Sequence, residues 1–355
     1  MSDPLLTELH RTLLRVAGWL PDDVLTAVRG LAAAGDAAAA ARALVFAGTR
    51  TSLPLNDADV DLLADLLSAG GADPGLVRDI PYADENEHAG WSFDPVPAAD
   101  AGLDGDGTAL IAAAAETELV SAVDTEPGVR GAWAVWRSAP VGVSYPPPRP
   151  VYVVEIDDVG ACPGLTGRLQ DLLMAAGDRA PQVEVVSRHE DPPMYQRAAR
   201  AGGRLLWAPA DDRVIEVAKV FDAVDPRHGP SFAADHPVIG DEAERRRLLD
   251  YLDAGTELLT TTALLPDLVE PDRGEVVPMN FRTDGTWVWT DTVSYYLREH
   301  GLAPDPDLWK HIADANEPPT RPDTVTLNKV IAALSPEGRK PVWSASGEEP
   351  AIETS

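Results

Sequence analysis

The densest set of side chains able to hold a metal ion is Asp222, Asp225, His228, Asp235 and His236. Neutral imidazole and carboxylate are the usual ligands of zinc, manganese and iron, and a bound ion would supply a nucleophile at neutral pH. A metal-dependent hydrolase is therefore the enzyme reading of this stretch. Its spacing matches no pair of ligands carried on one helix, such as H-E-x-x-H, so a loop would have to wrap around the ion. Asp-Pro at 225–226 and His-Pro at 236–237 are also ordinary turn punctuation, and that reading is the stronger.

Two further chemistries are weaker. Cys162 precedes a helix-like segment and could act as a nucleophile with His189 as its base, since a thiolate needs a nearby imidazole or helix N-terminus. Cys-Pro-Gly matches no nucleophile signature, and a lone cysteine is more often a small buried apolar residue. Asp104-Gly105-Asp106-Gly107 has the look of a calcium loop, but Gly102 stands where the first acidic ligand belongs and Ala113 where the closing glutamate belongs. No nucleophile elbow, Walker loop or dinucleotide fingerprint occurs. No catalytic residue is assigned and no cofactor is expected.

The candidates for binding a partner lie further on, in GEVVPMNFRTDGTWVWTDTVSYYLREHG at 274–301. Asp284-Gly285 separates two runs of alternating β-favouring residues, which predicts a hairpin closed by a two-residue turn. Trp287 and Trp289 then share one side of the second strand, as Met279 and Phe281 share one side of the first. Thr290 or Asp291 is expected to cap a helix that runs to Gly301. Buried tryptophans are the simpler reading of such a strand. Tyr295, off the stripe formed by Val293, Tyr296 and Leu297, is the better candidate for exposure. Asp284, Trp287, Trp289 and Tyr295 are thus the residues a partner would meet.

The elements that must position these groups follow in order. Leu5, Leu6, Leu9, Leu13 and Val16 share one helical face, and helices are also expected after Pro21, Asp36 and Asn56, making a bundle over 1–80. An acidic stretch rich in Pro and Gly at 81–107 reads as a linker. Strands and helices alternate from 108 to 210, and a C-terminal region with the tryptophan hairpin occupies 211–335. A tail at 336–355 is expected to be mobile. The whole predicts an α+β fold: an N-terminal helical bundle, a mixed α/β sheet region and a C-terminal β-hairpin/helix unit.

Composition narrows the function classes. With 58 acidic against 29 basic residues in 355, the formal net charge is −29. Such a chain lacks the concentrated lysine and arginine that displace counterions from a phosphate backbone, which excludes nucleic acid as the expected partner, and an anionic membrane surface with it. The single cysteine leaves no intramolecular disulfide, and the N-terminus lacks the basic segment of a signal peptide, so a cytoplasmic location is expected.

The order GVRGAWAVWRS, a proline-rich loop, VYVVEIDD, a helix, QVEVVS, a helix and RLLWAP resembles the C-terminal domain of the SseB family, named for enhanced serine sensitivity. The resemblance covers about residues 116–210 and implies a small α+β module with no catalytic residues to carry over. In its acidity and modular body the chain also resembles immunity proteins of bacterial toxin systems. What this implies is a non-catalytic protein-binding protein, with a basic toxin as the complementary partner.

Overall fold

The structure, a computed structural model, describes residues 3–84, 90–97, 108–139, 146–211, 213–315 and 317–334. The fold is α+β, and the chain divides into two compact units, Met1–Ala210 and Asp211–Ser355. The helices expected over 1–80 and the sheet region expected over 108–210 belong to the same unit. The Asp104 to Gly107 stretch and the 336–355 tail lie outside the described residues.

The first unit opens with α1 (Pro4–Arg15), α2 (Asp22–Ala33), α3 (Ala37–Gly48) and α4 (Asp57–Ala69). Three of the four starts follow from short polar side chains that satisfy free backbone N–H groups: Asp3 accepts from Leu5, Asp36 from Ala39, and Asn56 and Asp59 form a reciprocal capping box, whereas α2 begins after Pro21 with no side-chain cap. Within the expected linker, Ser92–Asp94 forms a strand, β1. Then come α5 (Thr108–Thr125), β2 (Val129–Ser138), β3 (Arg149–Ile156), α6 (Cys162–Ala175), β4 (Gln182–Ser187), α7 (Met194–Gly202) and β5 (Arg204–Trp207). β3 runs antiparallel to β2 and parallel to β4, while β1 and β5 share the other side of β2.

One face of this sheet is covered by α5 and α6, whose Leu119, Val123, Leu165 and Leu169 pack on Tyr152, Val154 and Val185. On the other, α7 reaches the sheet through Arg200, which donates to Glu155 at 2.5 Å. The N-terminal helices close the edge at β4. Burial of an unpaired strand edge would orphan its carbonyls. Here Thr26, Arg29 and His10 bond to the carbonyl oxygens of Pro181, Val183 and Val185 in turn, at 3.2, 3.0 and 2.8 Å. The helices therefore stand in for a missing strand.

The second unit contains β6 (Glu216–Val217), β7 (Ala223–Asp225), β8 (Gly229–Ser231), α8 (Glu242–Ala254), β9 (Thr256–Leu259), β10 (Leu264–Pro266), β11 (Glu275–Pro278), β12 (Phe281–Thr283), β13 (Trp287–Thr290), α9 (Asp291–His300), α10 (Pro306–Asp314) and α11 (Thr324–Leu334). A sheet in the order β6-β13-β12-β9 packs through Trp289 against Leu248, Tyr251 and Leu252 of α8, with Val293 and Leu297 of α9 and Leu308 and Ile312 of α10. β7/β8 and β10/β11 are separate two-stranded ribbons. Among the described residues no helix is long and apolar enough to cross a membrane.

Two local expectations are corrected here. Thr283 pairs with Val288, so four residues, Asp284 to Trp287, separate the last pair of the hairpin where two were expected, although Trp287 already belongs to β13 through its pairing with Glu216 of β6. A two-residue turn of that kind would place Asp284 at positive φ, which only Gly285 adopts, at +94°. Asp284 Oδ1 instead accepts from the N–H groups of Thr286 and Trp287, both at 2.8 Å, and the longer loop satisfies its own backbone. Nor does either expected side chain cap α9. Thr290 makes no capping bond, and Asp291 is taken by Asn280 at 2.8 Å and Arg282 at 2.6 Å. Gly301 ends the helix in the left-handed region, at φ +68°.

Candidate functional site

The five residues read as metal ligands form two separate pairs and one bystander. Asp225 closes the turn between β7 and β8: its Oδ1 accepts from the N–H of Arg227 and of His228 and faces His228 Nδ1 at 3.0 Å. Asp222 Oδ2 accepts from Ala233 N–H at 2.7 Å and faces His236 Nδ1 at 2.9 Å. The other nitrogen of His236 lies 3.0 Å from the carbonyl oxygen of Ala303, so neither ring nitrogen is left for an ion. Asp235 stands exposed. Among the described residues no three histidine, cysteine, aspartate or glutamate side chains gather to hold a metal.

Cys162 does not carry a reactive thiolate. It is 1 % exposed at the start of α6, and burial pushes its thiol up to about 12. Its sulfur lies 3.9 Å from the carbonyl oxygen of Asp158.

The hairpin residues are engaged within their own unit. Trp289 is fully buried and donates to Leu252 O at 3.2 Å, whereas Trp287 is half-buried beside the His311 ring. Asp284 Oδ2 accepts from Tyr251 at 2.8 Å and meets His311 Nε2 at 2.6 Å, which ties the loop to α8 and α10. Tyr295 is half-buried. Its hydroxyl donates to Asp267 at 2.9 Å and accepts from Arg273 at 3.1 Å.

A wide cleft lies elsewhere, in the first unit, where ≈ 1060 Å³ opens between the start of α2, the end of α3 and the ends of β2 and β3. Trp19, Phe46 and Trp91 supply aromatic surface, and Arg50, Arg137 and Arg149 supply charge. Gly18 makes the wall possible: it holds φ +80°, and a Cβ there would come within 2.7 Å of the Tyr195 ring and 2.9 Å of Trp91 Nε1. That indole nitrogen donates to the carbonyl oxygen of Gly18 at 2.9 Å, which fixes Trp91 at the rim.

Charge inside the cleft is largely matched. Arg137 is 2 % exposed and donates twice to Asp22, at 2.9 and 2.6 Å, while its guanidinium carbon sits 4.3 Å from the Trp91 ring centroid. Its Nη1 also donates to the Tyr195 hydroxyl at 3.2 Å. Burial pushes that phenol up to about 12, so it stays a neutral acceptor. Arg149 lies 3.5 Å from Asp22 and donates to Asp178 at 3.3 Å and to Ala180 O at 2.6 Å. Arg50 is exposed, 5.6 Å over Phe46, and pairs with no carboxylate among the described residues.

None of these cleft residues was singled out from the sequence as a site. The signal that could have found them is Trp91, an aromatic residue with no periodic apolar neighbours in an acidic stretch, which needs a surface to lie against. Compared with known proteins, the chain matches no family model, no curated protein and no solved structure.

Proposed function

We propose that this is a cytoplasmic, non-catalytic protein-binding protein whose partner is basic, in the manner of an immunity protein that covers a toxin acting on nucleic acid. The observation that carries the reading is charge: a formal −29 over 355 residues, shared almost equally by the two units. On α4, Asp57, Asp61 and Asp65 lie one helical turn apart on the exposed side, and none pairs with a cation among the described residues. Asp59 on the same helix is turned inward and held by Thr12 and Arg15. Carboxylates left unpaired at the surface raise the rate of encounter with a basic partner and select against acidic ones. The likeness of residues 116–210 to the SseB C-terminal domain supports the same reading, since that module brings no catalytic residues with it.

The test is affinity purification from the native host at low salt, with protein and metal analysis of one eluate. A stoichiometric basic protein that dissociates at high salt is the expected result. Its association should slow when Asp57, Asp61 and Asp65 are all changed to Asn. A chain recovered without a partner but with stoichiometric metal would overturn the reading in favour of a metal-dependent hydrolase.

A further inference from the structure

We propose that the cleft of the first unit is a binding site for a small planar aromatic anion, independent of any protein partner. Its volume, ≈ 1060 Å³, is at the upper end of what small-molecule sites occupy. The walls offer flat faces at Trp19 and Phe46, and Phe46 is 70 % exposed there. Exposed phenylalanine beside a concave apolar wall is surface that a stacked ring would cover.

The sign of the ligand's charge follows from what the cleft already holds. A cation would want an aromatic face backed by a carboxylate. Trp91 and Asp22 form that arrangement, but Arg137 of the chain itself fills it, stacked at 4.3 Å and bonded twice. Asp22 also neutralises Arg149, with help from Asp178. Asp23 keeps its negative charge, since it accepts only the N–H of Val24 in its own helix and pairs with no cation among the described residues. Arg50 is left over. Its guanidinium lies over Phe46 and has no carboxylate among the described residues, so its N–H edge is free for a carboxylate or sulfonate whose ring lies against the aromatic wall.

The experiment uses the full chain and two fluorescent probes of similar size: 8-anilinonaphthalene-1-sulfonate, an anion, and N-phenyl-1-naphthylamine, which is neutral. Saturable one-to-one binding of the sulfonate is expected, tighter than that of the amine. Arg50→Gln should weaken the sulfonate roughly tenfold or more, the scale of one charged hydrogen bond, and leave the amine unchanged. Phe46→Ala should weaken both. Both side chains are exposed, so neither change should move the melting temperature. Equal affinity for the two probes, or sulfonate binding indifferent to Arg50→Gln, would overturn the proposal. Neither result bears on the protein partner, whose proposed contacts on α4 are not part of this cleft.

Discussion

His10 Nε2 sits 2.8 Å from the carbonyl oxygen of Val185, a residue 175 positions further along the chain. The imidazole is 3 % exposed, and it closes the free edge of β4 where a neighbouring strand would otherwise donate. Burial is the main reason that its pKa falls from 6.5 to about 4; nearby Arg29 and Arg11 add to the fall and the Val185 bond opposes it. A histidine whose folded pKa lies below its unfolded one binds more protons when unfolded. Stability is then complete above about pH 6.5 and is lost as pH falls towards 4, at up to about 1.4 kcal/mol per pH unit. Urea unfolding at pH 7.5, 6 and 5 should show that slope, and His10→Gln, which can donate to the carbonyl without titrating, should flatten it.

The same helices bring a buried ion pair to the sheet. Arg29 Nη2 and Glu184 Oε2 are 2.6 Å apart with side chains 1 % and 0 % exposed, and Gln196 donates to the same oxygen at 2.8 Å. Loss of one partner strands the other charge away from water. Glu184→Gln and Arg29→Met should each cost about 3–5 kcal/mol, whereas the two changes combined should cost less than the sum of the single changes. Chemical denaturation of the three variants measures this, and additive losses would show that the two charges are not coupled.

Cys162 offers a simpler check of burial. With its thiol held near 12 and 1 % exposed, it should not react with a disulfide reagent such as 5,5′-dithiobis(2-nitrobenzoate) in the native protein, yet should react fully in denaturant. Fast labelling of the native chain would mean that the start of α6 opens readily.

The features legible in the sequence are the local ones. Asp3, Asp36, Asn56 and Asp241 each bond within three residues of themselves, so the pattern that starts their helices is visible without the fold. The hairpin was legible but its turn was not, because Asp284 answers to Tyr251 and His311 as well as to its own loop. The closure of β4 by His10, Thr26 and Arg29 joins segments more than 150 residues apart. Such contacts leave no periodicity to read. The cleft is harder still: Arg50, Trp91 and Arg137 come from three separate segments, and each alone is an ordinary surface or strand residue.

The hydroxyl of Tyr295, a residue the sequence offers for partner binding, is one of the donors to Asp267, whose side chain has no exposure. Burial alone would raise that carboxyl, yet His300 at 2.7 Å, the N–H groups of Glu270 and Val269, and Tyr295 together bring it down to about 2. A carboxylate depressed in the folded state stabilises above its unfolded pKa, near 3.9, and loses that contribution as pH falls towards 2. Tyr295→Phe removes one donor and should cost about 1 kcal/mol; Asp267→Asn confronts several donors with a poorer acceptor and should cost about 1–3 kcal/mol while weakening the pH dependence below 4. Thermal melts at pH 7 and pH 3 read both effects. If Tyr295 acts only through Asp267, Tyr295→Ala will lose partner capture in step with its melting temperature, whereas weaker capture at an unchanged melting temperature would put the ring in the interface after all.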